Sequence, residues 1–285
     1  MSGKIHPERR RRYLPLLCPE VAACDTYVPE GRQNVGFVAE PMTASPREDG
    51  QMSALCNDGF PAFLTADQQV KQHIGRVRLL FEDLELVLLD GGVIVAAAWG
   101  VPIWWSGETA SLRGGYTGTL RLALEQHDAR TAPNTLVIMA AQVHLDRRGE
   151  GVAAAVLDAL RDLGALRGWP RVVAPVRPTS KSLYPLIPVD TFAAWVREDG
   201  LSVDPWIRTH QRMGGKIIGT APESQTMTGS RTEWETWIGL PLPGAGEFVF
   251  PDGLSVLTVD DGGSGRYVEP NVWIEHQQRV VSPQT

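Results

Sequence analysis

No stretch constrains the chain more than Asn134 to Leu166, NTLVIMAAQVHLDRRGEGVAAAVLDALRDLGAL. The apolar run from Thr135 to Leu145 is long enough for a buried strand, and no linker separates it from Arg147, Arg148, Gly149 and Gly151. Past the glycines, helix formers set Val152, Val156, Leu160 and Leu163 on one face, so the spacing predicts a helix beginning at Gly149. A strand that feeds a helix through glycines brings unpaired N–H groups and the positive end of the helix dipole to the strand's end. Phosphate is the natural occupant of such a mouth.

The rest of the chain bounds what can surround this unit. With 285 residues, 43% of them hydrophobic, the chain can bury one large core or two small ones. A net charge of -6 argues against a general nucleic-acid or anionic-membrane surface and leaves room only for a local basic patch. The basic cluster Arg9 to Arg12 reads as a solvated N-terminal segment. The apolar run that follows it is short and broken by proline, unlike a secretory leader, and no window has the length of a membrane span. Cys18, Cys24 and Cys56 are odd in number, lack CxxC spacing and have no histidine placed to complete a zinc site, so a reduced, cytoplasmic protein without metal is expected.

Periodicity gives the coarse order of elements. Ala66 to Phe81 reads as an amphipathic helix with Val70, Ile74, Val77 and Phe81 inward. Leu84 to Val101 is two apolar runs around Asp90-Gly91-Gly92, the turn chemistry of an antiparallel hairpin, with both strands buried on both faces. A weaker helix, Thr117 to Ala129, precedes the long strand. After the glycine-mouthed helix, Arg171 to Val176 reads as a short strand. Its Pro175 donates no ladder bond and belongs at an edge or where two strands part. Asp204-Pro205 opens a helix that closes at Gly214-Gly215. Glu40 to Pro61 reads as a long loop or a substrate-side excursion, and Thr220 to Thr285 as strands and loops completing a sheet edge.

Three phosphate sites can be tried on the mouth. A P-loop requires GxxxxGK[ST], which is absent. The dinucleotide fingerprint GxGxx(G/A) is met by Gly149 to Ala154, but the next strand, RVVAPV, ends without the required carboxylate, and an antiparallel hairpin precedes the motif. The third fits. Arg148, Gly151 and Ala153 stand at the defining places of Q/R-x-x-G-x-G/A, and in this the chain resembles the GNAT superfamily of N-acyltransferases. The order of elements from about Leu84 to Gly219 is also similar. Residues 1–83 and a C-terminal extension, 220–285, match only loosely within what reads as a single domain over 1–285.

The resemblance implies an α/β fold: a mixed, mostly antiparallel central sheet flanked by helices, with strands four and five splayed. It implies acetyl-CoA or another short acyl-CoA as cofactor. Its pantetheine arm would lie along the backbone of Ala141, Gln142 and Val143, and its pyrophosphate on the amides around Arg148, Gly149, Glu150, Gly151, Val152, Ala153 and Ala154. Two residues depart from the family pattern. Glu150 sets a carboxylate beside the expected pyrophosphate, unfavourable unless it turns to solvent, and Leu145 replaces a customary proline.

Acyl transfer from a thioester to an amine needs a neutral amine, a stabilised oxyanion and a departing thiolate. By resemblance the Val143 N–H meets the oxyanion. His210, counted back from Gly214, occupies the place where the family commonly has a tyrosine that protonates the thiolate, and it reads equally as a packed helix residue. His144 reads as a solvent-facing strand-end residue, which leaves a water chain as the base. The connection from Pro178 to Trp206 has the length of a lid. Trp104, Trp105, Tyr184 and Trp195 are candidates for the acceptor pocket, which suits a small-molecule amine; a homodimer is an open assembly. Acyl-CoA hydrolysis or decarboxylation on the same fold, and a CoA-binding module without turnover, remain alternatives.

Overall fold

The computed structural model describes residues 36–43, 55, 60–112 and 114–277. The basic cluster Arg9 to Arg12 and all three cysteines lie outside the described residues, as does most of the Glu40 to Pro61 segment.

The hairpin forms as the pattern predicts. Strands β1 (Phe37–Pro41), β2 (Glu85–Asp90) and β3 (Val93–Ile103) pair antiparallel, and Gly91 and Gly92 make the turn with φ of 56° and 83°. β2 between Glu85 and Asp90, and β3, are apolar because the sheet is covered on both faces. β4 (Thr135–Val143) lies antiparallel beside β3 and parallel to β5 (Arg171–Val176). β6 (Gly215–Ser230), β7 (Gly246–Phe248), β8 (Leu257–Val259) and β9 (Ser264–Gln277) complete a sheet ordered β1-β2-β3-β4-β5-β9-β8-β7, with β6 on the other edge of β9.

Helices cover both faces. α1 (Gln68–Leu80) starts at Asp67, whose carboxylate accepts from the Gln69 and Val70 amides and from the Thr117 hydroxyl of α2 (Gly115–Asp128). Along β9, Trp273 donates its indole N–H to the Leu112 carbonyl just before α2, while His276 meets His210 of α5 (Pro205–Arg212). Residues 273 and 276 point to opposite faces of a strand, so α2 and α5 flank the sheet on opposite sides. α3 (Val152–Leu166) shares the α5 face, and its Arg161 donates to the Met213 and Gln277 carbonyls.

The parallel pair is joined only at its start. Thr135, Leu136 and Val137 pair with Arg171, Val172 and Val173, and there the pairing ends. β5 stays bound to β9 through Val176, so β4 leaves the ladder while β5 continues. Pro175 lies past the last pair, the placement its missing donor predicts. The splay of strands four and five is therefore present.

Three boundaries differ from the sequence reading. The long strand ends at Val143, because His144 turns the chain into a 3-10 segment, Leu145–Arg147. The helix begins at Val152 rather than Gly149, since Gly149 and Gly151 both have positive φ and cannot be helical. The C-terminal segment does not merely complete an edge: β9 runs inside the sheet, flanked by β6 along one side and by β5 and β8 on the other. It also contains α6 (Arg231–Ile238), which opens with a capping box between Ser230 and Glu233. α6 packs Trp234 against Phe63, Phe250 and Tyr267 in a second core beside the main one. Between Pro178 and Trp206 lie a 3-10 turn, Ser180–Leu183, and the short α4 (Val189–Ala193).

Candidate active site

Where β4 and β5 part, a cleft passes through the sheet. Its walls are Ile138 to Ala141 of β4 and Ala174 to Arg177 at the end of β5. Leu157, Trp206 and His210 line it on the α3/α5 side, and Tyr116, Gln225 and Asn271 on the α2 side.

The backbone of β4 faces this gap with open valences. His144 donates its N–H to the Val95 carbonyl at 2.9 Å, and Val143 lies opposite Ala96. In an antiparallel ladder this makes Val143 a non-hydrogen-bonded position, so its own N–H and C=O point away from β3. The alternation gives Ala141, opposite Ala98, the same direction. With β5 gone from that side, the Ala141 and Val143 N–H groups face the gap. Gln142 bonds toward β3 instead, and its side chain has a buried amide nitrogen without a partner among the described residues.

The chain then enters the helix mouth. The first helical bond runs from the Ala155 N–H to the Gly151 carbonyl at 3.0 Å, which leaves the Val152, Ala153 and Ala154 N–H groups without helical acceptors. No side chain caps them. Gly149 and Gly151 have φ of 87° and 83°, and no atom lies within 4 Å of the place a Cβ would take at either. An anion can therefore come down onto the backbone. Glu150 does not oppose it: its carboxylate accepts from Arg147 Nε at 2.7 Å, and Arg147 is held in turn by Asp90 at 2.7 Å. Arg148 is exposed, and its side chain has no ion-pair partner among the described residues.

His210 sits in the cleft wall, 1% exposed, its ring edge-on to Trp206 with centroids 4.6 Å apart. Burial first, and the neighbouring His276 second, push its pKa well below the ordinary histidine value. An imidazolium that donates a proton near neutrality, the role the sequence suggests, is therefore not available; a neutral ring is. His144 caps its own turn, accepting from the Asp146 amide at 3.4 Å, and does not line the cleft.

The α2 side holds groups that the sequence reading missed. Tyr116 donates its backbone N–H to Ser224 Oγ at 2.7 Å, and the Ser224 hydroxyl bonds Asn271, which fixes both Tyr116 and Asn271 at the cleft. Arg177 is pinned by Glu269 and by the Asp252 carbonyl, and Glu269 also accepts from the Tyr267 hydroxyl. Burial raises the Glu269 carboxyl pKa, opposed mainly by Arg177, and burial lowers Lys181 to about 8. The Arg177 position, directly after the apolar strand, is the one signal in the sequence that could have marked this group.

The four aromatics proposed for the acceptor are not brought together. Trp104 and Trp105 follow Ile103, which pairs with Thr135 at the joined end of β4, opposite to the splay. There Trp105 is buried with its indole on the Glu108 carbonyl and Arg171 over its ring, both structural contacts. Tyr184 and Trp195 pack edge to face at 5.0 Å with Phe192 in the long connection, outside the cleft lining. Of the residues expected to hold the cofactor, Ala141 lines the cleft, Gln142 and Val143 follow it on β4, and Arg148 to Ala154 form the turn and the first helical residues beyond.

A mixed sheet parted between its parallel strands, with the freed strand running into an uncapped glycine turn and helix, is the GNAT fold. The chain is similar to the arginine N-acetyltransferase avaD of Aspergillus versicolor, with 28% identity over 246 residues that span 76% of this chain and 84% of that protein. Among solved structures it is similar to the loading GNATL domain of CurA from Lyngbya majuscula: TM-score 0.51, 16% identity, 85% of this chain and 97% of that one covered. It is also similar to the GphF GNAT-like decarboxylase in complex with isobutyryl-CoA, with TM-score 0.50, 19% identity and coverage of 81% and 94%. These two likenesses concern the fold. No family model matches the chain.

Proposed function

We propose that the protein transfers an acetyl or short acyl group from acyl-CoA to an amine of a small molecule. The observation that carries this reading is the continuity of the open β4 edge at Ala141 and Val143 with the uncapped amides of Val152 to Ala154. An extended arm that ends in a pyrophosphate fits that surface from end to end. Acyl-CoA, when bound, supplies a carbonyl carbon activated by its thioester.

The residues of the chain then have separate tasks. The Ala141 and Val143 backbones hold the extended arm in place of the missing strand, as an added strand would be held. The Gly149–Ala154 amides hold the phosphates, and exposed Arg148 adds charge beside them. The Val143 N–H donates to the carbonyl oxygen as it becomes an oxyanion. His210 presents a neutral ring to the departing sulfur. The amine enters from the α2 side, where Tyr116, Gln225 and Asn271 give neutral polar contacts and Arg177 the one charge. Its proton leaves by water, since the cleft lining carries no carboxylate among the described residues.

Arginine is the first acceptor to try, because the curated relative is an arginine N-acetyltransferase and aligns over most of both chains. The composition supports a cytosolic setting. Thiol release from acetyl-CoA, measured with and without an amine panel that includes arginine, tests the reading. Amine-dependent release supports it. Release without amine turns the assignment to hydrolysis or decarboxylation, and no release in a protein that binds CoA turns it to a binding module.

A further inference from the structure

His210 is not alone. Its Nδ1 lies 2.8 Å from Nε2 of His276, which comes from β9, 66 residues away in the chain. Both rings are 1% exposed, and the outer nitrogen of each, Nε2 of His210 and Nδ1 of His276, is buried without a hydrogen-bond partner among the described residues. Two buried imidazoles joined by one proton, with an unsatisfied nitrogen at either end, are an arrangement that packing alone does not explain. Leaving such a nitrogen bare is costly.

The shared bond permits two states. Either His210 donates from Nδ1, and its Nε2 is a bare lone pair, or His276 donates from Nε2, and His210 carries its proton on Nε2. Arg161 bears on the choice between them. Its guanidinium is fixed at the backbone of β9, donating to the carbonyl of Gln277 at 2.7 Å, the residue next to His276. Within a histidine ring, Nδ1 is the nitrogen on the backbone side. A cation on that side of the ring favours a lone pair on Nδ1 and a His276 proton on Nε2. The same charge, after burial, holds the His276 pKa at about 4, so a second proton on the pair is disfavoured as well.

We infer that His276 is a positioning residue: it donates to Nδ1 of His210 and thereby fixes the tautomer that carries its proton on Nε2, in a ring that lines the cleft. This rests on the acyl-transfer reading for its purpose and deepens it. A neutral imidazole with Nε2–H is a hydrogen-bond donor that stabilises negative charge on a departing sulfur without itself ionising. The C–S bond breaks, the electron pair stays on sulfur, and the proton remains on His210. The opposite tautomer would turn a lone pair toward that charge. His276 thus makes a histidine do at this position what a hydroxyl does by rotating.

The test reads the tautomer and the rate separately. Nitrogen-15 NMR of the histidine-labelled, unliganded protein should show His210 protonated on Nε2 and bare on Nδ1, with His276 protonated on Nε2. His276→Leu should release His210 into the other tautomer and lower kcat by about 10 to 10²-fold, the worth of one hydrogen bond to a charged group, at unchanged KM for acetyl-CoA. His276→Gln, whose amide can still donate to Nδ1, should keep the tautomer and return most of the rate. A wild-type spectrum with the His210 proton on Nδ1, or equal rates in folded Leu and Gln variants, overturns the inference. Because the spectrum needs no turnover, an absent acyl-transfer activity would leave this result standing by itself.

Discussion

Gly115 and Ser224 touch where α2 meets the bulge of β6: a Cβ at Gly115 would lie within 3.0 Å of the Ser224 backbone and hydroxyl. Gly115 also has φ of 53°. Tyr116 reaches the cleft because of this contact, its N–H on Ser224 Oγ. Gly115→Ala should lower stability by about 2–4 kcal/mol, overpacking and left-handed strain together, as read from denaturant unfolding. Retained stability would mean that the helix start can shift without loss.

The helix mouth offers a controlled comparison. Gly151 and Gly168 have φ of 83° and 73°, and a Cβ at either meets open space. Gly151→Val and Gly168→Val should therefore bear similar backbone strain, about 1–2 kcal/mol. Only the first should weaken acetyl-CoA in calorimetric titration, by about tenfold or more, since the side chain would stand between the backbone and the phosphates. Equal affinities in the two variants would remove the phosphate site from Gly151.

The acceptor is predicted on the α2 side. Asn271→Ala should raise the acceptor KM by about 3 to 10-fold through loss of one neutral hydrogen bond, with acetyl-CoA affinity unchanged. Trp104→Ala, at the joined end of β4, should leave both constants alone. The reverse pattern in steady-state kinetics would return the acceptor to the tryptophan pair.

Acid stability follows from the buried histidines. The His276 pKa is near 4 in the folded chain against an ordinary 6.5, and that of His210 is also lowered. The unfolded chain takes up protons below pH 6.5 that the folded chain refuses. Stability is therefore complete above about pH 6.5 and falls as pH drops toward 4, His276 accounting for up to about 3 kcal/mol. Urea midpoints at pH 7 and pH 5 should differ less for His276→Leu than for the wild type; an undiminished difference would place the acid sensitivity elsewhere.

Local chemistry made the strand, the glycine mouth and the parting at Pro175 readable, because each is set by neighbours within a few residues. His210 was readable by its place before Gly214. Its meaning was not, since the partner that determines its proton lies on β9 and only the sheet register brings Val172 and His276 together. Tyr116 and Asn271 meet through the irregularity between Ala221 and Gln225, which leaves no pattern in the residues. Trp104 and Trp105 misled because nearness to the end of a strand says nothing of which end faces the cleft. α6 had its S-x-x-E signal at Ser230 and Glu233, but one eight-residue helix is too short for periodicity to declare.

The central claim, that an acyl-CoA arm replaces the strand missing beside β4, is tested most directly by amide exchange resolved residue by residue. The Gln142 and His144 N–H groups point to β3 and should exchange slowly in every state, while those of Ala141 and Val143 face the gap. Saturating acetyl-CoA should slow Ala141 and Val143 by about tenfold or more, together with Val152 to Ala154, and leave Gln142 and His144 unchanged. Tight binding of acetyl-CoA with no change at Ala141 and Val143 would contradict the account.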